Sequence, residues 1–194
     1  MANKVKLDSV KKKRRDLVEE IEFPCEISAS AENHVIIMKK DDDEIQRNIS
    51  KIIGAKVEGN KIILEATKAN KNKRKMLGTA KAHIKNMIRG LKEGFKYRLE
   101  IANVHFPMTV SVDKATNELI VKNFLGEKTD RRIKLNAKVN VKINKEIIEV
   151  ESKDIELAGQ VATSIEKGTR VKNRDRRIFQ DGIYIIEKPG RIYK

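Results

Sequence analysis

Along most of this chain apolar and polar residues alternate with a period of two, in short runs, and twice the period changes to that of a helix. Alternation marks a strand with one buried face, and recurrence at three and four marks an amphipathic helix. Ala55-Lys56-Val57 and Ile62-Ile63-Leu64 are two short runs separated by Glu58-Gly59-Asn60-Lys61, a hairpin signal. Val141-Lys142-Ile143 and Ile148-Glu149-Val150 flank Asn144-Lys145-Glu146 in the same way. After the first pair, Met76, Leu77, Ala80, Ile84, Met87, Ile88 and Leu91 form a helical stripe, with Gly94 as its stop. After the second, Ile155, Leu157, Ala158, Val161, Ala162 and Ile165 do so, with Lys153-Asp154 at the start and Gly168 past the end.

The two halves echo each other. Ile21-Glu-Phe-Pro-Cys-Glu-Ile-Ser28 aligns with Val104-His-Phe-Pro-Met-Thr-Val-Ser111 at an offset of 83. Val35-x-Ile37 aligns with Leu119-x-Val121 at 84, and the two hairpin pairs align at 86. A slowly drifting offset argues for duplication. The predicted class is α+β: two similar tandem domains, each a mostly antiparallel sheet packed against one helix, with basic terminal extensions. The expected boundaries are a basic extension over 1–20, a first domain over 21–94, a second over 95–172 and a C-terminal tail over 173–194.

Charge changes the picture. The net +15 is unevenly spread: +6 over residues 1–15, −6 over 16–67, +10 over 68–98, −1 over 99–166 and +6 over 167–194. Three separated positive blocks are the footprint of a polyanion partner. A membrane is not expected, since no segment approaches the roughly 20 apolar residues that span one. Met1-Ala-Asn-Lys lacks the apolar core of a secretory signal, so a cytoplasmic location is expected. Cys25 is the single cysteine, which excludes an internal disulfide and a cysteine metal cluster; a buried, inert thiol is expected.

Lys81, Lys85, Arg89 and Lys92 form a second stripe beside the apolar face of the first helix. Like charges at such spacing cost roughly 0.2–0.5 kcal/mol per pair in an isolated helix, so the stripe either meets an external anion or is a solvated face. Lys11-Lys-Lys-Arg-Arg15 fits a nuclear localisation patch, a nucleic-acid arm or a plain tail. Enzymatic chemistry is poorly supported. His34, His83 and His105 are scattered with no metal-ligand spacing. Gly126-Glu-Lys-Thr129 resembles only the end of a phosphate-binding loop, and Asp41-Asp-Asp-Glu44 lacks the alternating oxygen ligands of a calcium loop. No catalytic residue, metal or cofactor is expected.

The C-terminal segment carries the densest chemistry. Arg174, Arg176 and Arg177 supply planar forks that grip phosphate, and Phe179 and Tyr184 offer faces for unpaired bases. Asp181-Gly182 reads as a turn between two apolar stretches; Phe179 is expected to pack back on the second domain, with Ile178 and Ile183 as neighbours, in preference to stacking on a base. The pattern Val171-x-x-Arg174-x-x-Arg177-x-Phe179-x-Asp181-Gly-Ile-Tyr184-Ile-x-x-Lys188 resembles the C-terminal signature of the large-subunit ribosomal protein six family, archaeal and eukaryotic branch. Met76-Leu-Gly-Thr-Ala-Lys-Ala-His83-Ile-Lys-Asn-Met-Ile-Arg-Gly90-Leu-Lys-Glu-Gly-Phe95-Lys-Tyr-Arg98, Val104-His-Phe-Pro107 and Asn123-Phe-Leu-Gly-Glu-Lys128 resemble that family in matching order. At Asp41-Asp-Asp-Glu44 the family's glycine- and proline-containing basic stretch is replaced.

That resemblance implies two tandem domains and a structural, non-catalytic role in the large ribosomal subunit. It implies contact with large-subunit ribosomal RNA near the stalk base and the sarcin–ricin loop. Neighbouring large-subunit proteins and, indirectly, translational GTPases are the implied further partners. The expected RNA-facing residues are Lys172, Arg174, Arg176, Arg177, Phe179, Tyr184 and Lys188, with Lys128, Arg131 and Arg132, and Lys81, Lys85 and Arg89 on the first helix. The rival expectation is a free-standing RNA-binding or RNA-chaperone module.

Overall fold

A computed structural model of the chain describes residues 16–41 and 43–193; the Lys11–Arg15 run and most of the expected N-terminal extension lie outside the described residues. Of the described residues, those up to Lys85 form one compact unit and those from Asn86 a second.

In the first unit, β1 (Leu17–Glu22), β6 (Lys61–Ala66) and β5 (Gly54–Glu58) form one antiparallel sheet in that order. β2 (Ser28–Glu32), β3 (Val35–Lys40) and β4 (Asp43–Asn48) form another. β1 begins inside the stretch expected to be extension, because Leu17 and Ile21 find partners in Ala66 and Ile62. Ile21, Ile36, Met38, Ile62 and Leu64 are buried, and Leu77, Ala80 and Ile84 of α1 (Lys71–Glu93) are buried with them in sequence period. The β3–β4 hairpin has Asp41 in left-handed backbone (φ 51), and Glu44, in β4, is held 3.1 Å from Lys39. Cys25 is exposed rather than buried. Pro24 and Ile27 close a turn around it, and the adjacent core positions are taken by Phe23 and Ile27; Asn60 Nδ2 lies 2.7 Å from its sulfur.

The division between units falls inside α1, at Lys85–Asn86, eight residues before the helix stops at Glu93. Gly94 ends it in left-handed backbone (φ 73) and donates its N–H to the Gly90 carbonyl at 2.9 Å.

In the second unit a five-stranded sheet runs β11 (Asn140–Asn144), β12 (Ile147–Ser152), β7 (Phe95–Ala102), β13 (Gly182–Lys188) and β14 (Arg191–Ile192). A three-stranded sheet runs β10 (Arg131–Lys134), β9 (Glu118–Lys122) and β8 (Thr109–Asp113). Every pairing is antiparallel. β7 shows why: Phe95, Tyr97, Leu99 and Ile101 are buried, while the residues between them face outward. Ala158, Val161, Ala162 and Ile165 of α2 (Ile155–Gly168) join Leu99, Ile148, Val150 and Ile183 in one core. The Asp154 side chain caps α2 by accepting from Glu156 N–H at 2.9 Å. Gly168 is the last residue of the helix rather than past it, and a Cβ there would come within 2.7 Å of Ile133, which leaves room only for glycine. Buried Thr169 then accepts from Ile183 N–H at 3.1 Å and donates to the Ile165 carbonyl, tying the helix end to β13.

The duplication is visible in three dimensions, with two shifts of register. Ala55 pairs with Leu64 as Val141 pairs with Val150, which keeps the offset of 86. In β3, however, the buried residues are Ile36 and Met38, which match Leu119 and Val121 at 83, not 84. A one-residue slip exchanges the two faces of a strand, and Val35-Ile36-Ile37-Met38 is apolar on both. Likewise Ile21 pairs with Ile62 as Leu99 pairs with Ile148, so Leu99 is its counterpart and Val104 lies in the following loop.

Candidate nucleic-acid interface

The stretch before β13 is an irregular loop whose backbone is bonded internally. Asn173 takes a left-handed conformation (φ 57). The Asp175 carboxylate accepts from Arg177 N–H at 2.9 Å, and its carbonyl accepts from the N–H groups of Ile178 and Phe179 at 3.2 and 2.9 Å. Gln180 Nε2 donates to the Arg177 carbonyl at 3.1 Å. One turn closed this way holds Arg176 and Arg177 exposed on a fixed backbone. The Arg174 guanidinium lies 4.7 Å from the centre of the Phe179 ring, and that ring packs half-buried against the core. Ile178, expected beside it, is 61% exposed, because the turn aims it outward; buried Ile183 is the apolar neighbour that remains.

Behind Phe179 stands a buried anchor. His105 packs on Phe179 with ring centres 5.0 Å apart, and its Nδ1–H donates to Asp181 Oδ2 at 2.6 Å. Asp181 Oδ1 accepts from the backbone N–H groups of Val104 at 2.9 Å, His105 at 2.8 Å and Phe106 at 3.4 Å. Asp181 is 1% exposed, so Asp181-Gly182 is not a solvent turn but the buried entry to β13. Burial pushes its carboxyl up, but the His105 backbone and ring bonds, with those of Phe106 and Val104, outweigh it and hold it at about 2. Guanidinium, ring, imidazole and carboxylate thus form a column from the surface to the interior.

A second strand end reaches the same face. Arg131, on β10, sits over the Phe124 ring at 3.9 Å, forks Glu127 with two bonds, and donates to the carbonyls of Gly168 and Arg170 at 3.0 and 3.2 Å. The Arg131 bond holds Glu127 below the usual carboxylate range against the upward push of burial, and the charges of Arg131, Lys172 and Arg174 add to the lowering. The structure therefore brings Arg131, Lys172 and Arg174 to Glu127, although one long stretch of chain separates Arg131 from the other two; Lys128 follows Glu127 and is exposed. Arg131 spends its donors inside the protein; neighbouring Arg132 is exposed and lies 3.9 Å from Glu118. Arg131→Ala is expected to cost about 1–2 kcal/mol, since it uncovers the Phe124 ring and takes a donor from the Gly168 and Arg170 carbonyls, while the exposed Glu127 carboxylate regains water. Arg132→Ala should stay within about 0.5 kcal/mol. Paired urea unfolding curves would check this contrast.

Tyr184 lines a cleft with Arg176 and Arg177. Tyr184 is 37% exposed, two residues into β13 from Gly182. Lys188 closes the same strand and lies 5.0 Å from the Tyr193 ring, which Arg191 approaches to 4.8 Å from its own position. A seven-residue strand is about 20 Å long, so Lys188 belongs to a separate basic spot. On α1, Lys81 is paired with Glu19, and Arg89 lies 3.5 Å from Glu93 and 5.8 Å from the Phe95 ring centre. Lys85 is exposed and has no ion pair among the described residues. On the outer face of the large sheet, Lys142, Glu151, Lys96, Glu149, Arg98 and Glu187 form a ladder of pairs at 2.9–3.6 Å that neutralises itself.

Sequence reasoning missed Asp181, His105, Gln180, Arg191 and Tyr193. Among the described residues no group of three or more His, Cys, Asp or Glu could hold a metal ion, and no helix is long and apolar enough to cross a membrane.

A family model described as ribosomal protein L6 matches residues 23–94 and 106–182. The chain is 43% identical over 175 residues to the large ribosomal subunit protein uL6 of Methanococcus vannielii, covering 90% of this chain and 95% of that one. Identity to the protein of the same name from Sulfurisphaera tokodaii is 41% over 174 residues, covering 89% and 92%. For Haloarcula marismortui it is 36% over 173 residues, covering 89% and 96%.

Proposed function

This chain belongs to the ribosomal protein L6 family, and from that premise we propose that it is anchored in the large ribosomal subunit through the basic face of its second unit. The role is structural, with no catalysis. Arg174, Arg176 and Arg177 grip phosphates of large-subunit ribosomal RNA, joined by Lys172, Lys128 and Arg132; the segment from residue 173 onward serves as the RNA-facing element of the second domain. Phe179, His105 and Asp181 set the position of that element from beneath. Arg131 supports it by holding Glu127 out of the way of the phosphates. The seat we propose is the stalk base beside the sarcin–ricin loop, among neighbouring subunit proteins and within reach of docking translational GTPases.

The observation that carries this reading is the exposure of three guanidiniums on one internally bonded turn, whose own carboxylate, Asp175, accepts from the Arg177 N–H, while Glu127 is forked by Arg131. Guanidiniums held without an acidic partner on a fixed backbone suit bidentate phosphate binding. Sedimentation of large subunits through a high-salt wash tests it. The tagged full chain should remain with the subunits in a fixed ratio; recovery at the top of the gradient, with RNA bound indiscriminately, would support a free-standing RNA-binding module instead.

A further inference from the structure

Beside the arginine turn lies a cleft of about 500 Å³ lined by Ala102, Val104, Arg176, Arg177, Gln180 and Tyr184. No carboxylate lines it. Its volume falls within the roughly 300–1,000 Å³ of small-ligand pockets. The contents are unusual for a plain phosphate-binding surface: two guanidiniums and an amide stand around an aromatic ring and a short apolar floor. Gly182 shapes that ring's place, because a Cβ there would lie 3.1 Å from the Tyr184 hydroxyl oxygen and 3.2 Å from its ring carbons. The Tyr184 ring therefore leans back along the strand over the bare glycine, with 37% of the residue open to solvent. Val104, on the other wall, is 59% exposed, yet its N–H is fixed by Asp181 at 2.9 Å. Both walls are thus held by the same buried carboxylate and strand. A second cleft, near Glu93, Lys96, Lys138, Glu151 and Lys153, differs in kind, since Lys96 is committed to Glu149 and Glu151.

We propose that the Tyr184 cleft receives one unpaired nucleotide of the bound RNA, its base stacked on the tyrosine ring and its flanking phosphate forked by Arg176 or Arg177. The proposal rests on the RNA-binding reading above and deepens it. Phosphate alone would need only the arginines. An open aromatic face over a glycine, with an amide at its rim for a base edge, matches a base taken out of its stack. Ala102 and Val104 add apolar surface beside the ring, which favours a flat heterocycle over a solvated sugar.

The test uses the full chain and full-length large-subunit ribosomal RNA made by transcription. Ultraviolet cross-linking followed by mass spectrometry should find a nucleotide adduct on Tyr184. Tyr184→Leu should weaken binding about tenfold without changing its salt dependence, and Tyr184→Phe should bind like the parent, because stacking needs the ring and not the hydroxyl. Wild-type affinity for Tyr184→Leu, or a loss in Tyr184→Phe equal to that in Tyr184→Leu, overturns the proposal. So does the absence of a Tyr184 adduct, which decides the matter even if the leucine variant fails to fold. If Arg176→Ala still lowers the salt dependence in those cases, RNA binding stands and only the nucleotide cleft falls. If the parent chain binds this RNA with no salt dependence, the RNA-binding reading falls and the cleft with it.

Discussion

Alanine at position 181 is expected to destabilise the second unit by about 3–5 kcal/mol, because it leaves several backbone N–H groups and the His105 ring without their acceptor. The carboxylate accepts from the Val104, His105 and Phe106 N–H groups and the His105 ring, and it is 1% exposed. Water does not replace it there. A loss of that size lowers the melting temperature of a domain of this length by about 10–20 °C. The pH dependence has a definite sign. Asp181 is held at about 2, below its ordinary value of 3.8, so its contribution is complete above about pH 4 and disappears as pH falls toward 2. The size of that pH-dependent part is about 2 kcal/mol. Asp181→Asn keeps an acceptor oxygen but no titrating group, so it should be less damaging than alanine and should flatten the acid limb between pH 4 and 2. Melting curves of the three proteins across that range check both statements. A wild-type acid limb in the asparagine variant would mean that another carboxylate governs it.

Replacing Arg176 and Arg177 together by alanine is expected to weaken binding to large-subunit ribosomal RNA about a hundredfold and leave the melting temperature unchanged. Each charge-assisted bond to phosphate contributes about 1.5–3 kcal/mol, and two are lost. Both side chains are exposed, and the turn that carries them is closed by Asp175, Gln180 and backbone groups, so folding does not depend on them. The slope of log affinity against log salt should fall in magnitude by roughly 1.4 if each arginine neutralises one phosphate of single-stranded RNA. Arg174 is the less clean probe, since its guanidinium also covers Phe179. Titration at several salt concentrations, beside melting of the same preparations, checks the prediction. Reduced stability with unchanged affinity per folded molecule would make these arginines structural.

The strands and helices were legible because their signals are local. Val57, Ile62 and the Gly59 turn between them pair within a few residues, and β11–β12 repeats the pattern. The place of β13 was not legible, because its partner β7 lies some eighty residues earlier and nothing in either run names the other. The same distance hides Asp181. A carboxylate beside glycine reads as a turn from neighbours alone, and only the return of the chain to Val104–Phe106 buries it. Arg131 and Arg132 show a signal that was present and unused. Arg131 shares a face with buried Ile133, and period two sends it inward while Arg132 points out. The lysine stripe on α1 is the converse case. Its spacing left an external anion or a solvated face open; the ion pair of Lys81 with Glu19 lies too far along the chain for spacing to reveal, and Arg89 lies beside Glu93 one turn on.

The central claim is that the turn carrying Arg174, Arg176 and Arg177 faces ribosomal RNA in the assembled large subunit. A cryo-electron microscopy map of that subunit, purified with this chain in place, tests it most directly. The account predicts sugar-phosphate density within hydrogen-bonding distance of the Arg176 and Arg177 guanidiniums, with Asp181 buried beneath and bonded to His105. A map in which those two side chains face open solvent, or lie beneath another protein with no RNA in reach, would contradict it.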